Sequence, residues 1–232
     1  MSGRFSIACD QAGDFPLQAE RSALMMIDMQ RDFLEPTGVS AQEGAPLEAI
    51  RTVLGPGAAA LAVARANAIT VIHTREGHRA NLSDLSEQKR RRSAAAGVPI
   101  GSAGADGRYL VRGARTHDFV EGFAPLDDET VIDKPGFGAF YATDLAHILN
   151  VRGIDTLVFA GVTAQCCVQS TLREAIDRGY RCLTLKDCIG AFDPVFVEMT
   201  IRIITEEGSL FGWVSDSTRF AAAMAHQKGE TA

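Results

Sequence analysis

The sequence predicts an α/β domain, a parallel sheet covered by helices on both faces. Two observations carry that expectation. Short, almost continuous apolar runs recur at 23–29, 69–74, 130–133, 155–160 and 181–185, which suits strands buried on both sides. Between them lie longer stretches with apolar residues at helical spacing, and strands alternating with helices favour parallel pairing. No internal repeat and no Pro/Gly/Ser-rich linker divides the 232 residues, so residues 1–232 are read as a single domain.

Residues 1–20 are mixed in pattern and read as an N-terminal arm. The run Ala23-Leu24-Met25-Met26-Ile27-Asp28-Met29 is the first strand, and it closes on an acid. An Ala-rich helix follows in 46–67, with Leu54, Ala58, Leu61, Ala62 and Arg65 in helical spacing, and then the strand 69–74. Residues 75–125 read as a long loop or lid region with a short helix, since Gly, Ser and charge dominate 75–108. Thr130-Val131-Ile132-Asp133 is a strand, and Thr143 is placed as the N-cap of a helix over 144–152. The next strand is 155–160. The helix expected at 165–178 carries Val168, Leu172, Ala175 and Ile176 on one stripe and ends at Gly179, a suitable residue after a C-cap. A strand at 181–185, a helix near 194–206 and a last strand near 208–214 complete the pattern.

Composition narrows the function classes. A hydrophobic content of 46% with 22% charged residues suits a globular chain with a sizeable core. The net charge of −6 argues against nucleic acid or an anionic membrane as the main partner. Charges interrupt every apolar run before it reaches membrane-spanning length. The start Met1-Ser2-Gly3-Arg4-Phe5 has no secretory h-region, and five cysteines without framework spacing suit a reducing compartment. The expected location is the cytoplasm.

The most informative stretch is Leu157-Val158-Phe159-Ala160-Gly161-Val162-Thr163-Ala164-Gln165-Cys166-Cys167-Val168. It is a strand, a turn of small residues, and two cysteines where a helix begins. A thiol reacts as its thiolate, and a helix N-terminus favours the thiolate. One of the two cysteines is therefore the expected nucleophile. In open parallel sheets ligands bind beyond the carboxyl ends of the strands, where this reading also places Asp28 and Lys134. Taken singly, such an Asp caps a turn, such a Lys is solvated and such a Cys fills core. Convergence at one sheet edge is what gives them chemistry. Asp28 can take the thiol proton if burial raises its pKa, and Lys134 can stabilise the thiolate. The reaction is then acyl transfer, with backbone N–H groups of the turn holding the oxyanion.

These residues carry a resemblance. Met26-Ile27-Asp28-Met29-Gln30, Asp133-Lys134-Pro135-Gly136 and Gly161-Val162-Thr163-Ala164-Gln165-Cys166-Cys167-Val168, in this order, resemble the isochorismatase-like cysteine hydrolase superfamily over about residues 22–220. The resemblance implies a three-layer α-β-α fold with a six-stranded parallel sheet and a cofactor-free Asp28–Lys134–Cys167 triad. It also implies a cis peptide at Val162–Thr163, oxyanion donors at the Thr163 and Cys167 backbone N–H groups, and a homotetramer. It places the nucleophile on Cys167 and leaves Cys166 as buried packing. Cys9, Cys182 and Cys188 are read as inert.

Two segments narrow the resemblance to biuret and triuret hydrolases, namely Thr74-Arg75-Glu76-Gly77-His78-Arg79 with Leu82-Ser83-Asp84-Leu85, and 134–145. Gly208-Ser209-Leu210-Phe211-Gly212 fits the same comparison, but Glu207 stands where a biuret hydrolase has Gln. An ionised Glu only accepts hydrogen bonds, which tilts the expected substrate toward the donor-rich triuret. Glu207, Phe33, His78, Arg79, Phe137 and Tyr141 are the expected substrate-binding residues. Ureidoacrylate and N-carbamoylsarcosine amidohydrolases share the triad and are the competing readings, and a catalytically silent binding member is a third. A nicotinamidase-type Asp-x-His metal site is not evident, because Thr74 and Arg75 follow His73, so no metal is expected. Isochorismatases proper lack the cysteine. The run Lys89-Arg90-Arg91-Arg92 reads as a solvated helix face or a subunit contact, and Gly136-x-Gly138 is too short for a dinucleotide fingerprint.

Overall fold

A computed structural model describes residues 3–229. Its centre is a six-stranded sheet formed, in chain order, by β1 (Ser22–Ile27), β2 (Thr70–Glu76), β3 (Thr130–Lys134), β4 (Thr156–Val162), β5 (Arg181–Gly190) and β6 (Trp213–Ser215). The spatial order is β6-β5-β4-β1-β2-β3, and all five pairings are parallel. The chain winds outward from β1 to β3 and then returns to build outward from β4. Strand order therefore reverses between β1 and β4, and ligands of doubly wound sheets bind in the crevice at such a reversal.

Alternation along the strands separates two cores. Leu24, Met26, Val71, Val158, Ala160, Leu183 and Leu185 face one side, and Ala23, Met25, Ile27, Ile72, Leu157, Phe159 and Cys182 the other. Helix α1 (Leu54–Ala66) covers the first face with Ala60, Leu61 and Ala64, and further along the chain α6 (Ser217–Gly229) adds Phe220 and Met224. On the opposite face α3 (Leu145–Val151) and α4 (Gln169–Asp177) bring Leu145, Leu149, Leu172 and Ala175, and α5 (Pro194–Ser209) brings Ile204. The result is the expected α-β-α sandwich. The helical stretch Leu47–Ala66 has the length and hydropathy of a membrane span. It packs instead as a core helix pair, burying Ile50, Val53, Ala60, Leu61 and Ala64.

Several expectations are corrected. Residues Arg4–Ala8 and Asp14–Gln18 form an antiparallel hairpin rather than a loose arm. Phe5, Ile7, Phe15 and Leu17 alternate into the core on a period of two, a short strand signal that the intervening charges obscured. Within 75–125 the short helix anticipated there is α2 (Glu87–Ala95), which Ser86 caps by accepting from the Lys89 N–H, and a two-residue hairpin lies beyond it. The helix at Asp144 has no side-chain cap at its N-cap position, and Thr143 contributes by accepting from the Leu145 N–H at 3.3 Å. The last strand starts at Trp213 rather than 208, because α5 kinks at Glu206–Gly208. Helix α5 also leaves Val195, Phe196, Met199 and Ile203 exposed, with Leu210 just beyond it.

Gly161 marks where β4 passes β1. Its φ is +119°, and a Cβ would run into the Ile27 carbonyl oxygen. Gly161→Ala is expected to cost about 2 kcal/mol or more, read as a lower denaturant midpoint with an unchanged m-value.

Candidate active site

The sheet register assembles the site. Ile27 pairs with Thr74 across β1 and β2, and Glu76 pairs with Lys134 across β2 and β3. Asp28, Glu76 and Lys134 therefore emerge together at the carboxyl edge. Asp28 adopts φ +50° just past β1, a left-handed conformation that Asp tolerates better than most residues. Its backbone N–H donates to the Thr74 carbonyl at 3.1 Å, and the Thr74 hydroxyl donates to Asp28 Oδ1 at 2.6 Å. On the other side of the strand reversal, the peptide Val162–Thr163 is cis. The chain then enters a π-type turn, Ala164–Val168, before α4. The Cys166 and Val168 N–H groups donate to the Thr163 carbonyl, and the intervening Cys167 amide takes no part in that pairing.

Lys134 and Asp28 are both fully buried, with Nζ 2.8 Å from Asp28 Oδ2. Lys134 also donates to the Gly136 carbonyl at 3.1 Å and lies 3.8 Å from Glu76 Oε2. The Cys167 thiol is 3% exposed and donates to Glu76 Oε2 at 3.3 Å. The donor atoms of Asp28, Glu76 and Cys167 lie within 4.8 Å of one another, and the Lys134 ammonium is the cation among them.

Environment sets the protonation states. Burial raises the Asp28 pKa against the pull of Lys134, which makes this carboxylate a stronger base than an exposed one. Burial would discharge Lys134, but the charges of Asp28, Cys167 and Glu76 keep it protonated. Burial also works against the Glu76 charge, yet Lys134 and Lys89 hold its pKa below the ordinary value. The neighbouring Cys166 thiol and burial push Cys167 well up, and Lys134 opposes them. The resting Cys167 side chain is thus a thiol in contact with a network of charges.

Above it opens a cavity of about 530 Å³. Phe33, Tyr109, Phe137 and Phe192 contribute aromatic wall, and Glu76, Thr163, Cys166 and Cys167 contribute polar surface. Two of the expected substrate-binding residues, Phe33 and Phe137, are therefore on the wall. The other four are not. His78 is fully buried, with Nδ1 3.4 Å from Asp84 Oδ1. Arg79 is exposed and its backbone N–H donates to Asp84. Tyr141 is 64% exposed and packs on Gly136. Glu207 is exposed in the α5 kink with φ +50°. Cys166, expected as buried packing, is partly exposed and lines the cavity.

The sequence reading missed Glu76 and Lys89. Glu76 ends β2 as Asp28 follows β1, so the same strand-end criterion points to it. Lys89 opens a basic run read as solvated, but it is the buried residue of α2, with Nζ 2.6 Å from Glu76 Oε1 and 2.7 Å from the Pro135 carbonyl. Only Arg90, Arg91 and Arg92 of that run are exposed.

The family model of the isochorismatase domain matches residues 22–219. The ureidoacrylate amidohydrolase RutB of Methylorubrum extorquens is 30% identical over 242 residues, covering 96% of this chain and 91% of that protein. An isochorismatase family protein from Desulfovibrio vulgaris superposes with a TM-score of 0.70 at 30% identity, over 88% of this chain and 98% of its own. The N-carbamoylsarcosine amidase of Thermoplasma acidophilum does so with a TM-score of 0.63 at 25% identity, over 85% and 96%.

Proposed function

The chain belongs to the isochorismatase-like cysteine hydrolase superfamily, and we propose that it hydrolyses a C–N bond of a small linear ureido compound, triuret or biuret, releasing ammonia. The observation that carries this reading is the Cys167 thiol at the floor of a compact cavity, with Lys134 and Asp28 buried beside it. The thiol proton passes to Asp28, and Lys134 stabilises the thiolate. The thiolate attacks the carbamoyl carbon, and the Thr163 and Cys167 backbone N–H groups receive the oxyanion. The C–N bond then breaks, and the departing nitrogen takes the proton from Asp28 and leaves as ammonia. Water hydrolyses the thioester-type intermediate and restores the thiol.

The substrate class is supported by the 74–85 and 134–145 segments and by the cavity itself. Flat aromatic walls at Phe33, Phe137 and Tyr109 suit a planar ureido chain of few atoms. Glu207 lies away from this cavity, so within one chain it gives no ground for preferring triuret to biuret. The exposed α5 stripe, Phe196, Met199 and Ile203, supports a homo-oligomer.

A second reading, ureidoacrylate, is favoured by the 30% identical relatives and by Arg92. Arg92 lines the cavity and forms no ion pair among the described residues, which would suit a substrate carboxylate. Ammonia release from triuret, biuret, ureidoacrylate and N-carbamoylsarcosine separates the readings. Triuret or biuret is expected to lead in kcat/KM by about tenfold or more, and a lead by either ureido acid would overturn the substrate assignment.

A further inference from the structure

The triad leaves one buried carboxylate unused. Glu76 is held from three sides. Its Oε1 lies 2.6 Å from Lys89 Nζ, while Oε2 accepts the Cys167 S–H at 3.3 Å and lies 3.8 Å from Lys134 Nζ. Lys89 in turn donates to the Pro135 carbonyl and sits 5.0 Å from the centre of the Phe137 ring. A buried ion pair is a poor source of stability, because desolvation cancels much of its attraction. Here the pair lines the cavity, and the resting thiol gives its proton bond to Glu76 rather than to Asp28.

We propose that Glu76, positioned by Lys89, latches the resting Cys167 thiol and exchanges that hydrogen bond for an N–H of the incoming substrate. The proposal deepens the ureido reading, because such substrates carry N–H donors beside the carbonyl under attack. With an N–H on Glu76 Oε2, the S–H turns to Asp28, whose buried carboxylate accepts the proton. The thiolate then bonds to the carbonyl carbon, the C–N bond breaks, and Asp28 returns the proton to the leaving ammonia. Glu76 stays ionised throughout and acts by accepting hydrogen bonds. A thiol latched in this way stays protonated until substrate arrives.

The groups facing this pair are Asp28 from the end of β1, Lys134 from β3, Lys89 from α2, Cys166 in the turn, and His78 and Tyr109 from the 75–125 segment. Burial favours the neutral forms of His78 and Tyr109, so Glu76 is the removable negative charge that keeps the thiol protonated without serving as the proton acceptor.

The test is iodoacetamide alkylation of Cys167 between about pH 6 and 9.5, localised by fragment-ion mass spectrometry so that Cys166 is counted separately. In Glu76→Gln the alkylation midpoint is expected to move to lower pH, with a rate at pH 7 at least about threefold higher, because a nearby negative charge is gone. The same variant is expected to raise KM and lower kcat/KM for the ureido substrate by about a hundredfold. Glu76→Asp keeps the charge but withdraws from Sγ, so its midpoint should stay nearer that of the wild type while KM still rises. An unmoved or more alkaline midpoint in Glu76→Gln, or an unchanged KM, overturns the latch. If the wild type hydrolyses no ureido compound, the functional reading falls, while the alkylation profile still decides the thiol contact.

Discussion

Cys167→Ser is expected to lower kcat/KM for ammonia release by at least about a thousandfold. A serine hydroxyl holds its proton far more tightly than a thiol. The groups within reach of position 167 are carboxylates, ammonium ions and the Cys166 thiol, and among the described residues no free imidazole lies beside it to drive deprotonation. His78, the nearest histidine in sequence to Glu76, is buried beside Asp84 and absent from the cavity wall. The change is nearly isosteric, so circular dichroism and the denaturant midpoint should stay close to wild type. Cys166→Ser is the comparison that matters. Cys166 also lines the cavity, but Glu76 accepts from the Cys167 sulfur, so Cys166→Ser should retain activity within about tenfold. If Cys166→Ser is the inactive variant, the nucleophile has been placed on the wrong sulfur. If the wild type releases no ammonia from any ureido compound, a silent binding member becomes the better reading.

The sheet was largely legible because its strands are buried on both faces and so are written as unbroken apolar runs. The 23–29 and 155–160 runs correspond to β1 and β4, the two strands that flank the topological reversal. The N-terminal hairpin was not legible, since only Phe5, Ile7, Phe15 and Leu17 face inward and Ser6, Asp10 and Asp14 break the run between them. Asp28, Lys134 and Cys167, which the structure brings together, could be singled out because each lies near a strand end in a recognisable motif. Lys89 could not be found this way. Its neighbours on α2 are solvated, and only the tertiary position of that helix turns this one lysine inward. Glu207 lies off the cavity within one chain for the reciprocal reason. Its chemistry is visible in the sequence, but the kink at Glu206–Gly208, where it stands exposed, is not.

The charges at the carboxyl edge also distinguish what the fold needs from what the reaction needs. Glu76 and Lys134 end two adjacent strands and Asp28 follows a third, and the apolar residues of these strands already secure the sheet. An apolar substitution of this network would be tolerated if all its charges left together. Glu76 lines the cavity, and Asp28 and Lys134 are buried beside Cys167, so keeping these charges points to chemistry, and this can be measured.

Lys134→Met is expected to abolish detectable hydrolysis and to lower stability by about 3–5 kcal/mol. Methionine nearly matches the length of lysine, so the loss is chiefly electrostatic. The substitution leaves Asp28 fully buried without its 2.8 Å partner, and leaves Glu76 with Lys89 alone. The double variant Asp28→Asn with Lys134→Met removes the stranded charge, since an amide can be buried neutral. It should be more stable than Lys134→Met by about 2 kcal/mol, so the two substitutions together cost less than the sum of each alone, as expected for residues in direct contact. Activity should not return with stability, because the base and the cation are both gone. Chemical denaturation of the wild type, both single variants and the double variant closes the cycle. A Lys134→Met protein with wild-type stability would mean that Asp28 is already neutral in the resting site. It would then be unable to take the Cys167 proton, and another group would have to serve as the base.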